Sequence, residues 1–243
     1  MKAFADAVNN PSEGSLYTLG GQTFENENVV LDTGIDLNNE EWTPIGQTGY
    51  GQFKGTFDGQ GHTIKNLNST RTLELNNDDN EASGLFGWLN NKAHIRNVVL
   101  QGLNISGNEY AGGIAGYSEV NGTSASIENC VIKNSVISGV KHVGGVIGVI
   151  NELTTISNNT VENCTIKNVS DPKVGHTCGG LIGWNYNSNN IITNNKVIGT
   201  TIEYKNESKG SLTTKIGELF GCISWELPVD ANNVTNGNTI ISQ

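Results

Sequence analysis

A four-residue block ending in glycine recurs five times along the chain and limits what it can fold into. The copies are Gly84-Leu85-Phe86-Gly87, Gly113-Ile114-Ala115-Gly116, Gly145-Val146-Ile147-Gly148, Gly180-Leu181-Ile182-Gly183 and Glu218-Leu219-Phe220-Gly221. Their last glycines lie 29, 32, 35 and 38 residues apart. A repeat of this length marks stacked units, none of which buries a core alone. A second repeat runs between the blocks, with Ile-x-Asn at Ile95 and Asn97, Ile127 and Asn129, Ile156 and Asn158, Ile192 and Asn194. Five residues after each Ile stand Leu100, Ile132, Val161 and Val197, and ten after stand Ile105, Ile137, Ile166 and Ile202. Seven after come Gly102, Asn134, Asn163 and Gly199. Glycine and asparagine accept a left-handed backbone most readily, so each coil is expected to bend there.

The apolar runs are short, mostly β-branched and bounded by Gly and Asn, which argues for strands. Coils of about 30 residues suit three short strands each. Stacking pairs each strand with its equivalent in the next coil, in parallel, at about 4.8 Å. The reading is an all-β, right-handed parallel β-helix, right-handedness being the default for parallel crossovers. The asparagines at 97, 129, 158 and 194 are expected to form ladders of amide hydrogen bonds.

The first eighty residues differ. Residues 2–9 are alanine-rich, with Phe4, Ala5 and Val8 on one side, and Asn9-Asn10-Pro11 ends the run. A short α-helix there would cap the open strand edges at the solenoid's end. Strand-like runs follow at 16–19 and 29–37. The expected layout is one domain over 1–243: the capping helix, irregular first coils and an acidic loop over 16–81, and repeat coils over 82–241.

At this point the chain resembles a family. Leu31-Asp32-Thr33-Gly34-Ile35-Asp36-Leu37, then Trp42-Thr43-Pro44-Ile45-Gly46, then Phe53-Lys54-Gly55-Thr56-Phe57-Asp58-Gly59-Gln60-Gly61, lead into the Gly-Leu-x-Gly blocks. That order over roughly residues 2–240 resembles the GLUG-motif bacterial surface proteins. Gly34 and Glu218 depart from the usual pattern. The resemblance implies a β-helical, secreted or cell-surface protein, adhesin-like or a module beside surface proteases, and a domain of a longer chain. It supplies no catalytic residues.

A net charge of −10 argues against a nucleic-acid backbone or an anionic membrane surface as partner. Arginine occurs only at Arg71 and Arg96, and no apolar stretch approaches a membrane span. No secretory leader precedes the fold, so export implies one upstream of this sequence. Cys130 and Cys164 fall at different offsets of their coils, and Cys178 and Cys222 flank glycines. All four read as buried free thiols, with a disulfide between adjacent coils as the alternative.

Each chemistry-bearing cluster has a structural reading beside its functional one. Asp58 and His62 sit in a glycine-dense turn, where Asp commonly accepts backbone N–H groups. Arg96 lacks the companions a lyase needs, since Glu128, Ser157 and Thr193 follow it in later coils. Asp78, Asp79 and Glu81 belong to a run of oxygen ligands that suits calcium, yet its spacing matches no EF-hand. A solvated acidic loop is preferred and no cofactor is implied. His142 and His176 are placed near each other on adjacent coils, too few for a metal site. His94 carries no argument.

The residue after each block reads Trp88, Tyr117, Val149, Trp184 and Cys222. Facing solvent, Trp88, Tyr117 and Trp184 would form a platform for sugar rings. The alternative, preferred for an aromatic column, is that loops 118–126 and 184–191 fold over them. The expected function is a noncatalytic surface module binding a glycan or an extracellular host protein, through that face or the loops at 68–81, 118–126 and 203–215. A carbohydrate-active enzyme needs acidic residues converging from several coils. A structural spacer is the remaining alternative.

Overall fold

A computed structural model describes residues 1–9, 23–47, 52–70, 82–120, 122–151, 153–169, 176–204, 215–223 and 232–242. The chain winds into a parallel β-solenoid of about five turns with one short helix. Among the described residues the strands form five sheets, which we number by one representative coil. Sheet 1 contains His94–Arg96, sheet 2 Val99–Gln101, sheet 3 Asn104–Gly107, sheet 4 Tyr110–Gly112 and sheet 5 Ala115–Ser118. Every strand pair is parallel and in the register that the repeats predict. Ile95, Ile127, Ile156 and Ile192 stack, as do Leu100, Ile132, Val161 and Val197 and Ile105, Ile137, Ile166 and Ile202. All twelve are buried.

Five strands per coil replace the expected three. Sheets 1 to 3 are the three expected sides, separated by left-handed corners. Asn97, Asn129, Asn158 and Asn194 hold φ near +55° at the first corner, and Gly102, Asn134, Asn163 and Gly199 have positive φ at the second. The glycine block adds the rest as a folded arch, sheet 4 running in and sheet 5 running out. The arch tip reaches the inner face of sheet 2, where a Cβ on Gly113 would meet Ile132 at 3.0 Å. The block's last glycine lets the two arms touch: a Cβ on Gly148 would lie 2.8 Å from the Ala111 nitrogen of the preceding coil. No real side chain fits there.

The amide ladder also differs from expectation, falling one residue later. At Asn129, Asn158 and Asn194 the left-handed backbone makes the corner, and the following residue points inward, where corner N–H groups need acceptors. Asn159 Nδ2 donates to Asn195 Oδ1 (3.1 Å), and Asn195 Nδ2 donates to Asn233 Oδ1 (3.0 Å). Asn159 Oδ1 accepts the Cys130 backbone N–H (2.9 Å). Cys130, Cys164 and Cys178 are buried free thiols. Burial pushes their pKa values up to about 12, 11 and 12.

Helix α1 (Lys2–Asn9) closes one end as expected, burying Ala5 and Val8. Asn9 locks it in place: its amide donates to the Pro44 carbonyl (2.8 Å) and its Oδ1 accepts the Gly46 and Gln47 N–H groups. The first coils, Asn28–Val30 and Ile35–Asp36, pair with Thr56–Asp58 and Thr63–Lys65. The expected strand at 16–19 lies outside the described residues.

Candidate functional site

The arch has an open mouth, and there its two arms present neighbouring columns. Sheet 5 carries Trp88, Tyr117, Val149, Trp184 and Cys222 in register, the column read from the sequence. Sheet 4 adds Tyr110, His142 and Thr177. The glycine contact brings the columns together. Tyr110 and Tyr117 centroids are 4.9 Å apart, and His142 and Trp184 4.7 Å. His142 lies parallel to Tyr110 at 5.8 Å, and Tyr186 meets Trp184 edge-on at 5.1 Å.

This column is partly packed and partly open. Trp88 is 5% exposed and backs Tyr110 and Tyr117 from below. Tyr110, Tyr117 and Trp184 are half-buried, and Tyr186 is 50% exposed. Because Val149 is small and only 2% exposed, it floors a recess of about 340 Å³ walled by Tyr110, Tyr117, Trp184 and Tyr186, with Asn151 beside them. Sequence reasoning missed Tyr110 and Tyr186. Tyr110 stands three residues before its block, as His142 does, but only the arch geometry brings that position to the aromatic column.

Electrostatics around the recess are set by burial and carboxylates. Burial raises the Tyr110 hydroxyl, with Glu109 adding to it, and Tyr117 is pushed up to about 12 by burial, Glu119 and Tyr186. Glu109 is ion-paired with Lys141. Beneath them, His142 Nδ1 is 2.9 Å from Thr177 Oγ1. Burial, then the charges of His176 and Lys141, lower His142 to about 3.

Most of the remaining candidates are tied into hydrogen bonds within or between coils. Asp58 accepts the Gln60 N–H (2.9 Å), the Asn97 amide (3.0 Å) and Arg96 Nε (2.9 Å). Burial opposes its charge, but these bonds prevail and hold its carboxyl below the ordinary range. Arg96 is therefore a strand-to-strand tie. His62 edges a shallower recess with Asp36 and Lys65, but Asp36 already accepts the Asn38 N–H and the Asn66 amide. His94 Nδ1 is 2.9 Å from the Ser126 hydroxyl, which donates to Glu128 (3.0 Å). The Ser126 hydroxyl thus bridges the imidazole and a carboxylate, which compete for its one proton.

His142 pairs with Thr177, so His176 falls one register position aside. Among the described residues no three His, Cys, Asp or Glu converge to hold a metal. Asp78, Asp79 and Glu81 lie outside the described residues, as do most of the loops at 68–81 and 203–215. No described helix is long and apolar enough to cross a membrane.

No family model and no curated protein matches the chain. Among solved structures it is similar to a Bacteroides ovatus protein provisionally named an immunoglobulin A1 protease. The two are 17% identical with a TM-score of 0.64, over 90% of this chain and 70% of that one. At this identity the likeness is one of fold.

Proposed function

We propose that this chain is a noncatalytic recognition module of a secreted or cell-surface protein, and that glycans are its ligand class. The observation that carries the reading is the recess between Tyr110, Tyr117, Trp184 and Tyr186. Pyranose rings offer flat C–H faces that pack on aromatic rings, with hydroxyls at the rim for Asn and Tyr. Four such rings around one opening are more than a buried core needs, because apolar surface left open tends to have a partner. The resemblance to GLUG-motif proteins supports the surface location and membership of a longer chain. An extracellular host protein would be met through the glycan it carries.

The provisional protease name of the solved relative suggests hydrolysis as a second thought. Against it stands the contact of Ser126 with Glu128, which competes with His94 for the one hydroxyl proton.

The test is a glycan array probed with the purified chain beside a Trp184→Ala/Tyr186→Ala double variant. Trp88 is a poor choice for this role, because it is buried and its loss would test folding. Binding by the native chain that drops at least tenfold in a still-folded double variant is the expected result. No binding by the native chain would end the glycan reading and leave a spacer.

A further inference from the structure

Within the aromatic column of sheet 5, one rung is missing. The order is Trp88, Tyr117, Val149, Trp184, with each residue in register with the next. Adjacent rungs sit about 4.8 Å apart, so Tyr117 and Trp184 are separated by two steps, about 9.5 Å at the backbone. A saturated ring between two flat side chains needs about 7–8 Å, two carbon–carbon contacts of 3.5–4.0 Å. An aromatic at position 149 would fill that space, as Trp88 does beneath Tyr117, where the centroids approach to 4.3 Å. Val149 leaves open the part of that space that the buried His142 ring, 4.7 Å from Trp184, does not take, and supplies an apolar floor.

Charge at the opening narrows the occupant. Glu119 acts on Tyr117 and Glu109 on Tyr110. Glu109 and Lys141 neutralise each other as an ion pair, which leaves the Glu119 carboxylate as the net charge near Tyr117. A sugar carrying a carboxylate would be placed near that acid, in a chain of net charge −10. A neutral ring meets only the amide of Asn151 and the hydroxyls of the tyrosines.

We infer that Val149 is the specificity-determining residue of the recess, the gap that admits one neutral pyranose ring between Tyr117 and Trp184. This rests on the glycan reading above and goes further in naming the slot, its size and its charge preference.

The test is Val149→Trp, which adds the missing rung, measured on an array holding neutral pyranosides and the matching uronates. The expected result is native binding to neutral glycans that falls at least tenfold in V149W at unchanged Tm. Binding left intact in V149W overturns the slot while glycan recognition stands. A native preference for uronates overturns the charge argument. Absence of any native binding ends both readings. Should V149W fail to fold, tryptophan fluorescence of the native chain decides. Neutral methyl pyranosides should shift the emission, the uronates should not, and Trp184→Phe should abolish the shift. An equal response to both sugars, or none, overturns the inference.

Discussion

The molecule holds two aromatic clusters of opposite character. At the capped end, Phe4 from helix α1 stacks on Phe57 at 6.0 Å and meets Phe24 and Phe53 edge-on, while Phe86 continues the cluster inward. Phe53, Phe57 and Phe86 are fully buried, and none of the five rings carries a polar atom. At the arch mouth, Tyr110, Tyr117, Trp184 and Tyr186 surround an opening instead of filling one. Phenylalanine plugs because it has nothing to hydrate; tyrosine and tryptophan suit a surface because one end of each is apolar and the other takes a hydrogen bond. The first cluster packs the capped end, and the second borders a recess.

The sharpest test of that contrast is Phe57→Ala. It should cost about 3–5 kcal/mol, the range for a large buried aromatic, read as a lower denaturation midpoint. Glycan binding per folded molecule should be unchanged, since Phe57 lies in sheet 1 near the cap. A small stability loss would mean that the phenylalanines are not a plug.

Acid should separate the clusters next. His142, beneath the recess, has a folded pKa near 3 against an ordinary 6.5. A lowered histidine pKa means that the unfolded chain binds the extra proton first. Its stabilising effect is complete above pH 6.5 and is lost as pH falls toward 3. By pH 4 the loss should be on the order of 3 kcal/mol. Asp58 is lowered too, but its contribution fades only below its ordinary value of 3.8, so the window from pH 6.5 to 4 excludes it. His142→Phe keeps the ring and should flatten that part of the Tm–pH curve. The slope that remains belongs to His176, whose pKa burial and Lys141 also lower, and near pH 4 to Glu25 and Glu40, whose bonds to Lys92 and Lys2 hold them below their ordinary 4.5. Identical slopes in variant and native chain would show that His142 does not titrate as placed.

Much of this was legible in the sequence. Columns at fixed offsets, such as Ile95, Ile127, Ile156 and Ile192, give the stacking directly, because a solenoid repeats its environment with its residues. The Gly and Asn corners were legible for the same reason. What escaped was whatever depends on how one arm of a coil crosses another. The block Gly145–Gly148 reads only as the mark of a repeat, and the 2.8 Å approach to Ala111 makes it half of an arch. That crossing places Tyr110 and His142 beside the Trp184 column. The inward ladder of Asn159, Asn195 and Asn233 was visible as the second residue of three Asn-Asn pairs. It was missed because a left-handed corner turns its own side chain away and leaves the next to supply acceptors inside.

The smallest expected effect is the most specific. Tyr186 is half-exposed, and its contact with the column is one edge-on meeting with Trp184. Tyr186→Ala removes little buried surface, so its stability cost should stay within about 0.5 kcal/mol, as for surface sites generally. Its ring nevertheless walls the recess, and a lost stacking face is worth about 0.5–1.5 kcal/mol. Binding should therefore weaken roughly three- to tenfold while the melting curve stays in place. Tyr186→Phe keeps the face and should retain most of the affinity. Were Tyr186→Ala instead to lower Tm by several degrees with binding intact, the rings at the mouth would be a second plug, and the contrast between the two clusters would collapse.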